Sequence, residues 1–255
     1  MEPLIKIKSL TVALNSKIVL ENVTLDISEN DFIGIIGPNG GGKTTLLKSI
    51  LGLIKPLSGE ISFSDKIRNK GMDIGYLPQV NNFDKRFPIT VFDVILSGIS
   101  YSESWHRSVS AKDKQKCRDI IVQLGISDIS NKLIGELSGG QMQRAFLGRA
   151  LISNPKVLIL DEPGTYVDNK FENELYKRLK ELNERMAIVL VTHDIGSISS
   201  YVKSIACINR ELHYHPSNII TQDQLQSYNC PIQLITHGRI PHTVLESHND
   251  NHENN

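Results

Sequence analysis

The chain predicts an α/β fold with a parallel sheet covered on both faces, and three features carry that expectation. Short, wholly apolar runs at Phe32–Ile36, residues 157–160 and Ala187–Val191 alternate with segments of helical period. Residues 4–27 instead alternate apolar with polar positions, as an N-terminal antiparallel subdomain would. From about 88 to 153 the texture is helical, so a helical subdomain is inserted into the α/β core.

The elements follow in order. Ile5-Lys6-Ile7-Lys8 alternates, Asn15-Ser16 reads as a turn, and residues 18–27 alternate again. The strand at Phe32–Ile36 runs into a glycine-rich loop, and a helix should follow over 43–53, stopped by Lys55-Pro56. Further strands are expected at 60–63 and Ile74–Leu77. Ser110-Ala111-Lys112-Asp113 resembles a capping box, after which Cys117, Ile120, Ile121 and Leu124 share one helical stripe. Phe171, Leu175, Leu179, Leu182 and Met186 form another stripe, and a last core strand is expected at Ser204–Asn209. The expected domain spans 4–235; residues 236–255 are polar, rich in His and Asn, and should fray.

Composition excludes several classes of function. The 28 basic and 28 acidic residues cancel, so no global field draws the chain to nucleic acid. Cys117, Cys207 and Cys230 are scattered, which argues against a disulfide framework and suits a reducing compartment. The first ten residues lack a signal-peptide core, and no apolar run approaches the ~20 residues that span a bilayer. The chain is therefore not expected to cross a membrane by itself.

Gly37-Pro38-Asn39-Gly40-Gly41-Gly42-Lys43-Thr44 fits the P-loop pattern between a predicted strand and a predicted helix. Glycines let backbone N–H groups curl around phosphate oxygens, and the helix start adds its positive dipole end. Lys43 supplies a point charge to the β- and γ-phosphates, and the Thr44 hydroxyl can ligate Mg²⁺. Residues 157–162 form an apolar strand ending in two carboxylates. Asp161 would reach Mg²⁺ through water, and Glu162 would accept a proton from the attacking water. Leu137-Ser138-Gly139-Gly140-Gln141 opens a helix expected to run to Ser153, a second phosphate-binding mouth without a lysine. One triphosphate needs one such mouth, so the second makes sense facing a partner's nucleotide.

In this order, with Tyr76-Leu77-Pro78-Gln79 and Thr192-His193-Asp194 added, the motifs resemble those of the ABC ATPase family over residues 4–215. Ser138 lies 95 residues after Lys43 (138 − 43) and 23 before Asp161 (161 − 138), spacings similar to the family's. The resemblance implies a RecA-like P-loop NTPase core and a head-to-tail dimer holding two ATP molecules with Mg²⁺. It adds Thr45 to the nucleotide set, gives Gln79 a role in sensing the γ-phosphate and Mg²⁺, and gives His193 a γ-phosphate contact. Asp168 would sit in the loop that meets the opposing subunit. The family also implies a multi-span membrane permease as partner and a place on the cytoplasmic face of the cell membrane.

The sequence departs from the family at three positions. Leu14 stands where many relatives carry an adenine-stacking aromatic; Gly164 and Tyr166 replace a Thr or Ser and a small residue. Residues 87–94, 209–215 and 237–242 resemble the subfamily importing zinc, manganese or ferrous iron, which works with a metal-binding capture protein. The histidines, including His213, His215, His237, His242, His248 and His252, favour zinc. Phe83, Phe87 and Phe92 are candidates for the permease-docking surface. The competing readings are the ATPase of an ABC transporter for another substrate, a soluble ABC ATPase acting on ribosomes or DNA, or a non-catalytic module. Those soluble relatives usually carry two cassettes, long insertions or basic surface, and a non-catalytic module would not need Lys43, Asp161, Glu162 and His193 intact.

Overall fold

The computed structural model describes residues 2–67, 73–79, 86–99, 109–164, 169–193, 195–219, 221, 233–236 and 241–244. Three antiparallel strands come from the N-terminal alternation: β1 (Ile5–Leu14), β2 (Lys17–Ile27) and β4 (Ser58–Phe63), in the order β2-β1-β4. Asn15 and Ser16 both take positive φ and make the β1–β2 turn. The second sheet has six strands in the order β5-β6-β7-β3-β8-β9. These are β3 (Phe32–Ile36), β5 (Ile74–Leu77), β6 (Val157–Asp161), β7 (Ala187–Val191), β8 (Ser204–Asn209) and β9 (Glu211–His215). All its pairs are parallel except β8 with β9.

Strand alternation divides the interior into two cores. Phe32, Ile36, Leu158, Leu160, Ile188 and Leu190 pack on one side with the helical insert. Ile33, Ile35, Val157, Ile159, Val189 and Val191 pack on the other with β1, β2 and helix α1 (Lys43–Ile50). The successive residues of β3, β6 and β7 are buried on both faces, which is why these strands read as unbroken apolar runs.

The insert comprises α2 (Val91–Leu96), α3 (Ala111–Gln123) and α4 (Gly139–Leu151). The capping box at the start of α3 forms: the Asp113 N–H donates to Ser110 Oγ at 3.1 Å, and the Ser110 N–H donates to Asp113 Oδ2 at 2.9 Å. Of the α3 stripe, Cys117, Ile121 and Leu124 are buried and Ile120 is half-buried. Helix α5 (Asn169–Leu182) buries Leu175, Leu179 and Leu182, with Met186 just beyond it. The short α6 (Ile195–Ile198) follows β7.

Three boundaries differ from expectation. Helix α1 ends at Ile50 rather than 53, because Gly52 turns left-handed at φ +73°. The Leu53 N–H then reaches Lys48 O and the Gly52 N–H reaches Ser49 O, a Schellman closure that precedes Pro56. Helix α4 stops at Leu151 rather than Ser153, and left-handed Asn154 (φ +57°) redirects the chain. Thr236 and residues 241–244, expected to fray, belong to a hairpin. Strand β10 (Gln233–Thr236) pairs with β11 (Pro241–Val244), and β11 lies beside α6. The β-branched Ile235, Thr236, Thr243 and Val244 favour that extended pairing.

Candidate functional site

The loop between β3 and α1 is shaped by close approaches that only glycine permits. A Cβ on Gly37 would stand 2.0 Å from the Ile208 carbonyl oxygen, and one on Gly42 would stand 2.4 Å from Leu20 Cδ2. Gly42 also caps α1 with φ +102°, a left-handed conformation costly for other residues. The Arg210 N–H donates to Gly41 O at 3.0 Å, so the β8–β9 turn braces the loop from behind. Lys43 is 5% exposed and curls over the loop, its Nζ donating to Gly37 O at 2.8 Å and Pro38 O at 3.0 Å.

Parallel pairing carries β6 to the same sheet edge, where Asp161 is 2% exposed. The Thr44 hydroxyl donates to Asp161 Oδ1 at 3.3 Å. Burial pushes the Asp161 pKa up and the neighbouring Glu162 charge adds to this, while the Thr44 bond and the Lys43 charge oppose it. The Tyr76 hydroxyl, at the end of β5, also bonds Asp161. Its pKa is pushed up to about 12, first by burial and then by the Asp161 charge and hydrogen bond.

Three groups converge on Glu162. Gln79 Nε2 donates to Glu162 Oε2 at 3.0 Å, Lys43 Nζ lies 4.0 Å from Oε1, and His193 Nδ1 lies 3.9 Å from Oε2. Glu162 takes φ +48°, a left-handed conformation costing a non-glycine residue of order 1–3 kcal/mol. Its N–H is held by Val191 O at 2.9 Å, at the end of β7 just before Thr192 and His193. Strain of this kind persists only where surrounding bonds enforce it.

Beside this cluster opens a cavity of about 590 Å³, lined by Asn39, Gly40, Gly42, Lys43, Thr44, Thr45, Gln79 and Glu162, with Leu14 and Val19 at one end. The P-loop, the carboxylate strand and Gln79 thus meet at one place. Leu14 is 39% exposed, a position suited to flat apolar contact. Val19 and Tyr76 were not singled out as site residues by sequence reasoning. The polar tip of a tyrosine in an apolar strand was the available signal for Tyr76; Val19 carries none, because only the fold of β2 brings it to the loop.

Ser138 and Gly139 do not line the cavity; both are exposed at the start of α4. The Gln141 N–H donates to Ser138 Oγ at 3.3 Å and the Ser138 N–H donates to Gln141 Oε1 at 3.1 Å, a complete capping box. Gly140 and Gln141 are half-buried. Asp168 and Phe83 lie outside the described residues, as do His237, His248 and His252; of His242 the backbone alone is described. Phe92 packs against the core, whereas Phe87 is 57% exposed. The ring of His215 contacts Ile219 O at 2.8 Å, and among the described residues no group of three or more metal-ligating side chains comes together.

Fold and site together define a P-loop nucleotide-binding cassette with an inserted helical subdomain. The chain belongs to the ABC transporter family, whose profile matches residues 20–165. It is 37% identical to the zinc uptake system ATP-binding protein ZurA of Listeria monocytogenes, over 85% of this chain and 87% of that one. It is 36% identical to the manganese transport system ATP-binding protein MntB of the same organism, over 87% and 94% of the two chains. A probable metal transport system ATP-binding protein of Thermotoga maritima is 38% identical, over 88% and 89%. Among solved structures, a dimeric bacterial ABC transporter cassette superposes with a TM-score of 0.71 at 28% identity, covering 85% of this chain and all of that one. A chain of an ABC transporter in an inward-facing conformation gives 0.81 at 24% identity, over 96% and 97%.

Proposed function

We propose that the chain binds ATP in the P-loop cavity, hydrolyses it with Glu162 as general base, and so drives import of a divalent transition metal, zinc first. The convergence of Lys43, Gln79 and His193 on the Glu162 carboxylate, at the mouth of that cavity, carries the reading. Glu162 takes a proton from water as its oxygen attacks the γ-phosphorus, and the bond to the β–γ bridging oxygen breaks to release ADP and phosphate. Lys43 neutralises phosphate charge, the N–H groups of residues 37–45 cradle the phosphates, and His193 holds the γ-phosphate side of the site. The all-oxygen pair of Thr44 and Asp161, 3.3 Å apart, fits a hard dication, with Gln79 as a further oxygen donor. Mg²⁺ bound there with ATP would supply charge neutralisation to the phosphates.

Ser138, Gly139, Gly140 and Gln141 do not line the cavity of their own chain, which supports their use on the nucleotide of a second copy, with Asp168 near the shared boundary. Among the described residues no helix is long and apolar enough to cross a membrane; the membrane partner in this reading is a multi-span permease. Exposed Phe87, eight residues past Gln79, is suited to docking it at the cytoplasmic face, while a separate capture protein delivers the metal. The names of the zinc and manganese relatives support the metal class.

Glu162→Gln tests the catalytic role. The amide keeps the shape but cannot accept the proton, so turnover should fall at least about 100-fold while ATP binding persists and the ATP-bound dimer becomes long-lived. Near wild-type hydrolysis removes Glu162 from the mechanism.

A further inference from the structure

Gly164, two residues past Glu162, faces a carboxylate. A Cβ there would lie 2.7 Å from Glu172 Oε1 and 3.6 Å from the Tyr176 hydroxyl. That hydroxyl donates to Glu172 Oε1 at 2.8 Å, one turn along α5. The Glu172 carboxylate, held by this bond, sits directly against position 164. Tyr176 itself is 1% exposed.

The other side of the Tyr176 ring meets Tyr201, with centroids 5.4 Å apart and planes tilted by 37°. The Tyr201 N–H donates to Ile198 O at 2.8 Å and closes α6, the helix that starts two residues after His193. Ile198 in turn packs onto Gly34 of β3, where a Cβ would stand 2.6 Å from its Cδ1. One buried tyrosine therefore touches the chain leaving Glu162 through Glu172, and the chain leaving His193 through Tyr201.

We propose that Tyr176 and Glu172 form a positioning pair for ATP hydrolysis, keeping the segments after Glu162 and His193 in register so that the two side chains stay 3.9 Å apart. The proposal rests on Glu162 and His193 acting in hydrolysis as read above. A tyrosine serving only the core would lose stability, not turnover, when its hydroxyl is removed. The hydroxyl on a carboxylate at the catalytic edge of the sheet is what a positioning role adds.

The test uses the full chain and compares kcat, KM for ATP and Tm. Tyr176→Phe should lower kcat about fivefold, the rate equivalent of one lost hydrogen bond, with KM unchanged and the chain still folded, as Tm shows, at the assay temperature. Glu172→Ala should match it, and the double variant should fall no further because the two act as one unit. Glu172→Gln, whose amide oxygen still accepts the hydroxyl, should retain most of the wild-type kcat. A wild-type kcat in Tyr176→Phe, or equal losses in Glu172→Gln and Glu172→Ala, overturns the proposal. If Tyr176→Phe does not fold, the Glu172 pair of variants decides in the same way. Glu162→Gln run alongside keeps the two levels apart: near wild-type turnover there overturns the catalytic assignment. An inactive Glu162→Gln beside a fully active Tyr176→Phe overturns the positioning role alone.

Discussion

Burial raises the Asp161 pKa above its ordinary value, and that has a consequence for stability. Its folded pKa is raised, chiefly by burial, so the folded chain binds this proton more tightly than the unfolded chain does. The charged carboxylate therefore costs stability as pH rises from its ordinary value of 3.8 through the raised folded value. Asp161→Asn keeps an oxygen for the Thr44 hydroxyl and removes that cost. Its Tm should exceed the wild-type Tm at neutral pH without nucleotide, by a margin that shrinks towards acid; a margin independent of pH contradicts this. At the cavity's other end Leu14 and Val19 offer aliphatic surface where an aromatic would stack on adenine. Leu14→Tyr should tighten ATP binding by roughly two- to tenfold in a direct binding titration. Unchanged binding would mean that another residue covers the base. Lys43, Thr44, Asp161 and Glu162 were legible as a group from motif spacing alone. Tyr76 and Val19 were not, because their roles arise from tertiary contacts between strands distant in sequence.

At the scale of elements, close backbone approach ties the sheet to the insert. A Cβ on Gly75 of β5 would stand 2.3 Å from the Ala150 carbonyl oxygen in α4 and 3.0 Å from Pro155 Cγ. Neither neighbour is the free end of a flexible side chain, so Gly75→Ala should destabilise the chain by about 1–3 kcal/mol in urea unfolding. An unchanged midpoint would show that α4 can shift away from β5 at little cost. The core strands were legible because strands buried on both faces leave unbroken apolar runs. The end of α1 was misjudged because Lys55-Pro56 is the louder stop signal, while Gly52, three residues earlier, supplies the left-handed turn that closes the helix. The β10–β11 hairpin was masked by its polar surroundings, since strand pairing needs only two short β-branched stretches in register.

The whole molecule has two cores back to back across one sheet, with the P-loop cavity at the sheet's carboxyl edge. The helical insert shares the core that includes Phe32 and Ile36, and Arg144 of α4 reaches Glu174 of α5 at 3.2 Å across the boundary. Arg178 of α5 donates to the Gln123 carbonyl at the end of α3 as a second tie. The insert is therefore tied to α5 by side-chain contacts as well as by the shared core. Half of the proposed ATP site lies within one chain; the proposed other half, Ser138–Gln141, does not line that cavity and would serve the nucleotide of a second copy. Mixing Lys43→Ala chains with Gly139→Asp chains tests that directly, because each should be inactive alone. In a head-to-tail heterodimer one site carries both lesions and the other carries neither. The account predicts that ATP hydrolysis, absent from either variant by itself, returns in the mixture; a mixture as inactive as its components contradicts it.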